Sequence, residues 1–299
     1  MAVSPDQILI TPGSQASLAL LALALAGPGE AALIEDPGFG GAKAAFRGAG
    51  LTLRPLPVDD EGADPAGAHP ARLIYLTPAN HYPLGHRPSL PSRAPIIAHA
   101  RLHHSLIIED EYDSEFLWHW RAIAAMQVSA PDRIITIGTA AKALMPALRL
   151  GWMVVPLYLS TELKAVQRNL GMGATQHAQA ALAAMMDQGR FRAHLKRIAR
   201  AYGERGRALA AAVRGLPGVR VNDPSGGVQM AIRLPTGSEA PALAALRGAG
   251  FGTATLSAFC LGLPQEGLIS GFADVTPERI ARFAGILEKA LATSLDGSA

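Results

Sequence analysis

Cysteine is nearly absent. Cys260 stands alone in 299 residues, so no internal disulfide can staple the chain. Charged residues are also scarce at 17% against 49% hydrophobic, and mean hydropathy is mildly positive, which excludes disorder as the main state and leaves ample material for a core. Long apolar runs are missing: the longest, Ala16 to Ala26, falls short of the ~20 residues a bilayer span needs and is closed by Gly27-Pro28-Gly29. It reads as a buried helix. The opening Met1-Ala2-Val3-Ser4 carries neither the charged start nor the long apolar stretch of a secretory signal, so a cytoplasmic protein with no membrane attachment is expected. Charge of one sign does not accumulate either. The net charge is +3, and the basic residues Arg190, Arg192, Lys196, Arg197, Arg200, Arg205 and Arg207 fall at mixed helical spacing, as on a solvated helix face. Direct nucleic-acid binding by this chain is not expected.

What the chain does have is alternation. Short aliphatic runs at Ala31–Glu35, Leu51–Pro57, Leu73–Thr77, Leu106–Glu109, Arg133–Gly138 and Leu150–Val155 take turns with helical patterns in the first half. That is the signature of βαβ units on a mostly parallel, doubly wound sheet, so the fold class is α/β. Residues 59–71 read as a surface loop. From Tyr158 long helical stretches run to Arg214, broken at Gly171, Gly173 and Gly189. Beyond them, strands at Val219–Val221, Val228–Leu234, Phe251–Ser257 and Leu268–Ala273 and helices at Pro241–Arg247 and from Thr276 onward describe a small C-terminal α+β domain. Two domains are expected, 1–185 and 186–299.

Three local features carry chemistry. Thr11-Pro12-Gly13-Ser14-Gln15 opens the apolar helix, where free backbone N–H groups favour an anion, although Ser14 also suits a plain helix cap. Glu109-Asp110-Glu111-Tyr112-Asp113 follows an apolar strand, and the carboxyl ends of strands are where open α/β sheets hold ligands, although a solvated loop has the same composition. Carboxylates suit Mg or Ca, but no histidine or second acidic cluster stands at helpful spacing, so no metal is expected. Lys142 follows Gly138-Thr139-Ala140-Ala141, and Arg149 comes seven residues later at the next apolar strand. A lysine among small neighbours between two strands is either structural or an amine nucleophile for a carbonyl, with Thr139 and Arg149 available to a phosphate.

In this order the motifs become recognisable: Gly13-Ser14-Gln15, Glu35-Asp36-Pro37-Gly38-Phe39, Thr77-Pro78-Ala79-Asn80-His81-Tyr82-Pro83, the acidic stretch 109–116, and 138–151 around Lys142. The sequence resembles the fold-type I pyridoxal 5′-phosphate (PLP) enzymes of the class I/II aminotransferase group, and most of all the aminotransferase-like domains of MocR/GntR-type regulators. The resemblance implies PLP as cofactor, held by Lys142 as an aldimine, with Lys142 moving the proton in transfer of an amino group between an amino acid and a 2-oxo acid. It implies that Asp110 pairs with the ring nitrogen and that Tyr112, helped by Asn80 or His81, serves the ring oxygen. Phe39 would stack on the ring or serve as a core aromatic. Gly13, Ser14, Gln15, Thr139 and Arg149 would hold the phosphate. A homodimer acting on an amino acid or amine is implied as well.

The chain also departs from the pattern. Ala140 and Ala141 replace a common Phe-Ser pair. Leu268-Ile269-Ser270-Gly271-Phe272 stands where many relatives carry an arginine for the substrate carboxylate, with Arg233 as a substitute to consider. The family's N-terminal arm, and the winged helix of the regulators, are expected to be missing before Gly13. The alternative function is therefore an effector-sensing domain separated from its DNA-binding domain.

Overall fold

Apolar strands that alternate with amphipathic helices bury both faces of a sheet, and the computed structural model, which describes residues 3–116 and 124–296, does so. In chain order the first half runs β1 (Ile8–Thr11), α1 (Ser14–Leu25), β2 (Ala31–Asp36), α2 (Gly40–Gly48), β3 (Thr52–Asp59), β4 (Gly62–Ala63), β5 (Leu73–Leu76), α3 (Ala94–Leu102), β6 (Leu106–Glu111), β7 (Ile134–Thr139) and β8 (Gly151–Val154). These strands form one sheet in the order β1-β8-β7-β6-β5-β2-β3-β4. All six strands expected from the sequence are present. The fold is a fold-type I, mostly parallel doubly wound sheet with a small α+β domain.

Two strands were not expected. Ile8–Thr11 is too short to show a period, and it pairs antiparallel with β8 from Ile8↔Val154 to Thr11↔Gly151. Residues 62–63 turn the expected loop into a hairpin with the end of β3. The pairing β7·β8 is antiparallel because the connection between them holds only a turn and one short 3₁₀ segment, Pro146–Leu148, too little for a parallel crossover. Lys142 and Arg149 both lie in that reversal. The remaining pairs β2·β3, β2·β5, β5·β6 and β6·β7 are parallel. Since β1 is antiparallel to β8, and β8 to β7, β1 runs with the parallel set. The carboxyl ends of β1, β2, β5, β6 and β7 therefore share one edge, and the strand order reverses between β2 and β5, which opens a crevice there.

Period two sorts the core. Ile34, Leu73, Tyr75, Ile108, Ile135 and Ile137 face α1 and α2, while Leu33, Ile74, Leu76, Ile107 and Ile134 face α3. Leu18, Leu20, Leu21 and Ala22 of α1 are all fully buried, as its uniformly apolar sequence requires.

The second half continues with α4 (Leu157–Asn169), α5 (Gln176–Asp187), α6 (Arg190–Arg214), β9 (Arg220–Val221), β10 (Gln229–Arg233), α7 (Glu239–Gly248), β11 (Ala254–Thr255), β12 (Gly267–Gly271) and α8 (Pro277–Asp296). The expected 185/186 boundary falls inside α5. Ala178 and Leu182 of α5 and Phe191 of α6 pack against Ala140, Ala143 and Leu150, so the turn that carries Lys142 is backed by an apolar cluster. The C-terminal sheet has the order β11-β12-β10-β9 and is antiparallel throughout. Leu209, Val213, Leu246, Phe283 and Leu287 of its helices close the core over it, each side chain worth about 1.5–3 kcal/mol of burial. The strand expected over 251–257 is reduced to Ala254–Thr255. Among the described residues no helix is long and apolar enough to cross a membrane.

Candidate functional site

The alternation that builds β6 also separates its acids. Asp110 continues the Leu106, Ile108 face toward α1, whereas Glu109 and Glu111 continue Ile107 toward α3. Glu109 is structural: it accepts from the backbone N–H groups of Met126 and Gln127 and from Thr136 Oγ1 at 3.0 Å. Asp110 is 2% exposed and faces a cavity of about 130 Å3. Tyr75 Oη donates to Asp110 Oδ2 at 2.8 Å, while Oδ1 has no partner. Burial pushes the Asp110 carboxyl up to about 7, with the Tyr75 hydrogen bond and the Lys142 charge opposing.

Tyr112 follows at the strand end. Its Oη donates to the Asn80 carbonyl at 3.0 Å, and Asn80 Nδ2 reaches Tyr112 Oη at 3.3 Å and Asp113 Oδ2 at 2.7 Å. Burial holds the Tyr112 phenol well above its usual range and pushes Asp113 up to about 7. This stretch is thus a buried, interlocked network, and the solvated-loop alternative does not apply to Asp110 or Asp113. Phe39, just past β2, stacks on Tyr75 at 6.5 Å and meets Tyr82 edge-on at 5.2 Å.

The other end of the cavity is made of backbone. Gly13 has φ +92°, a conformation that side chains resist, and it immediately precedes α1, whose first-turn N–H groups need acceptors. A Cβ on Gly151 would lie 2.8 Å from both Gly13 Cα and the Gly138 carbonyl oxygen, so only glycine lets these segments meet. Arg149 takes a left-handed φ of +48°, and its guanidinium carbon comes 3.7 Å from where a Cβ on Gly13 would stand. Thr139 Oγ1 accepts from Ala141 N at 3.1 Å and closes the turn toward Lys142, which is half-buried.

Of the residues expected from the sequence, Ser14, Phe39, Asp110, Tyr112, Thr139 and Lys142 line this one cavity. Gly13 and Arg149 sit together beside it, and Asn80 supports Tyr112 from behind. Gln15 is exposed and donates through Nε2 to the Gly41 carbonyl at 2.9 Å, tying α1 to α2. His81 lies apart from Tyr112, with Nε2 3.7 Å from Glu35 and its ring edge-on to His86. Arg233 is exposed in a different cleft, and Ile269 packs with Leu84, Ala231 and Leu256. Tyr75 and Tyr82 line the cavity and were not expected. A tyrosine inside an otherwise aliphatic strand was the available signal for Tyr75.

The chain matches the family model described as "Aminotransferase class I and II" over residues 1–287. It is 35% identical over 283 residues to the probable rhizopine catabolism regulatory protein MocR of Rhizobium meliloti, covering 92% of this chain and 57% of that protein. It is 31% identical over 235 residues to the HTH-type transcriptional regulator YhdI of Bacillus subtilis, covering 77% of this chain and 50% of that one. The chain thus spans a little over half the length of the first and half that of the second. Among solved structures, LysN, an α-aminoadipate aminotransferase from Thermus thermophilus in complex with N-(5′-phosphopyridoxyl)-L-leucine, superposes with a TM-score of 0.89 at 26% identity, over 99% of this chain and 79% of that one. The sheet order, the lysine-bearing reversal and these matches agree: the chain belongs to the aminotransferase class I and II family.

Proposed function

We propose that this chain is the ligand-sensing domain of a MocR-type regulator, and that it holds PLP at Lys142 and responds to an amino acid or amine entering the same pocket. One observation carries the cofactor reading. Asp110 presents a buried, unpartnered Oδ1 to a cavity that also holds Lys142, which is the acceptor a protonated ring nitrogen needs. The similarity to regulators about twice the length of the matched region favours sensing over free-standing catalysis.

Residues 1–185 act here as the cofactor-binding domain and 186–299 as the small domain. When bound, PLP supplies an aldehyde that captures amines and a ring that withdraws electrons. Asp110 Oδ1 accepts the ring N–H, with Tyr75 fixing the carboxylate through Oδ2. Tyr112 and Asn80 orient the ring oxygen, and Phe39 covers a ring face and keeps water off it. Ser14, Thr139, Arg149 and the α1 backbone N–H groups bind the phosphate, with Gly13 letting it approach. Lys142 Nζ would hold the aldehyde of a bound PLP, and would be placed to carry a proton. Ligand binding then shifts a conformational equilibrium that a DNA-binding domain reads. The working assembly is a homodimer.

A second reading, amino-group transfer to a 2-oxo acid, is favoured by Lys142, Asp110 and Tyr112 standing together in one cavity. One experiment addresses both. The chain is mixed with PLP, reduced with borohydride and mapped by peptide mass. One equivalent of label on Lys142, lost in Lys142→Ala, is expected; label elsewhere, or none, overturns the cofactor reading. Sustained turnover of amino acid plus 2-oxo acid would replace sensing by catalysis.

A further inference from the structure

Away from the Lys142 pocket, the β3–β4 hairpin of the large domain faces the β9–β10 edge of the small domain across a cleft of about 640 Å3. Arg220 and Arg233 line it, and they are direct cross-strand partners in the β9·β10 register. Opposed residues on neighbouring antiparallel strands share a face with Cβ atoms about 4.5–5.5 Å apart, and like charges there are destabilising. Both arginines are exposed, and among the described residues neither forms an ion pair. The three acids in the cleft each accept a hydrogen bond but keep their charge, so any anion must sit on the arginine wall and away from them. Asp60 Oδ1 sits 2.9 Å from His86 Nδ1, Asp59 Oδ1 accepts from Glu61 N at 2.8 Å, and Glu266 accepts from Gly237 N at 2.9 and 2.8 Å. His86, 8% exposed, lines the same cleft with its Nε2 buried and unpartnered. The groups without a partner are therefore two guanidiniums side by side on one wall.

We propose that this cleft is a second ligand site, taking the oxyanion, carboxylate or phosphate, of a small molecule between Arg220 and Arg233. A planar guanidinium pair is matched to two-oxygen acceptors, and a bound oxyanion converts the cross-strand repulsion into two charge-assisted contacts. Because one wall belongs to each domain, an occupant fixes the small domain against the β3–β4 hairpin. The site is separate from the anion end at Gly13 and Arg149, and it does not depend on PLP binding.

The test is calorimetric titration of the full 299-residue chain with inorganic phosphate and, separately, with succinate at low ionic strength. Wild type and Arg149→Gln bind one of these probes at the cleft, and the better probe names the oxyanion. In the Arg149→Gln background, which removes the arginine of the other anion end, Arg220→Gln and Arg233→Gln each weaken binding at least tenfold, Arg233→Lys restores part of it, and the triple variant shows none. Both arginines are exposed, so folding is kept: without anion the single variants melt at or above the wild-type temperature, while wild type and Arg149→Gln gain melting temperature on adding anion and the triple variant does not. Binding in the Arg149→Gln background that survives both cleft substitutions, binding that is already lost with Arg149→Gln alone, or no binding of either probe overturns the proposal.

Discussion

The two ends of the Lys142 pocket are preorganised by different means. At the Asp110 end the geometry comes from side chains: Tyr75, Asn80, Asp110, Tyr112 and Asp113 are all buried, and each is held by a hydrogen bond to another of the set or to its backbone. At the Gly13 end the geometry comes from the main chain: a positive φ at Gly13, another at Arg149, and a glycine-to-glycine approach between β1 and β8. The first end meets a ligand with buried carboxyl groups whose ionisation the protein itself resists. The second meets it with open N–H groups and an exposed guanidinium. Side-chain substitutions should therefore act mainly on the first end, and backbone substitutions on the second.

Gly151→Ala tests the backbone half and should have the largest effect. The added methyl meets Gly13 Cα and the Gly138 carbonyl at 2.8 Å, neither of which is a flexible side-chain tip. Relief by shifting β1 against β8 costs about 1–3 kcal/mol, which reads as a tenfold to hundredfold loss of PLP affinity in a fluorescence titration together with a lower melting temperature. If affinity is unchanged, the close approach of the two strands does not shape the anion end.

Tyr75→Phe tests the side-chain half with a smaller change. It keeps the ring that packs on Phe39 and Phe46 and removes only the donor to Asp110 Oδ2. Leaving a buried carboxyl oxygen unsatisfied costs about 1–3 kcal/mol in the PLP-free chain, less where Asp110 is protonated and can turn. Urea denaturation without PLP measures this loss, and no shift in midpoint would show the Tyr75 contact to be incidental.

The same division explains what the sequence revealed. The six main strands and the C-terminal elements were legible because runs such as Ile107-Ile108 and Ile134-Ile135 must be buried on both faces, and composition alone says so. Lys142, Asp110 and Tyr112 were legible as candidates because each closely follows or ends a strand whose carboxyl end reaches one edge, whereas Phe39 entered only through the family resemblance. β1 was invisible at four residues, since a period cannot be read from Ile8-Leu9-Ile10-Thr11. Tyr75 was missed because its meaning lies across the sheet, on the neighbouring strand opposite Ile108 and two residues short of Asp110, and register is not written in either strand. The choice between Asn80 and His81 was open because both sit in an irregular loop, where neither a period of two nor one of 3.6 tells which way a side chain points.

The smallest effect is a pH slope, and it separates the two ends because only the Asp110 end contributes to it. Burial raises Asp110 and Asp113 to about 7 and Glu35 to about 8, so between their ordinary values and these the folded, PLP-free chain binds more protons than the unfolded one. Stability therefore falls as pH rises through that window. His81 works the other way: burial lowers it to about 3, so below about 6.5 its contribution rises with pH and opposes the carboxyls. Above 6.5 the histidine is neutral in both states, and the carboxyls act alone. From pH 6.5 to 8 each of these carboxyls still protonated in the folded, PLP-free chain should cost up to about 1.4 kcal/mol of stability per pH unit. Glu35→Gln should flatten the upper part of that slope, because Glu35, like Glu111, is pushed up to about 8, and Thr77 can still donate to the amide oxygen. PLP should flatten the lower part, because a protonated ring nitrogen beside Asp110 favours its ionised form. An Arg149→Gln chain should keep the wild-type slope. A slope that followed Arg149 instead of Glu35 would mean that the anion end, and not the buried carboxyl end, sets how this protein responds to pH.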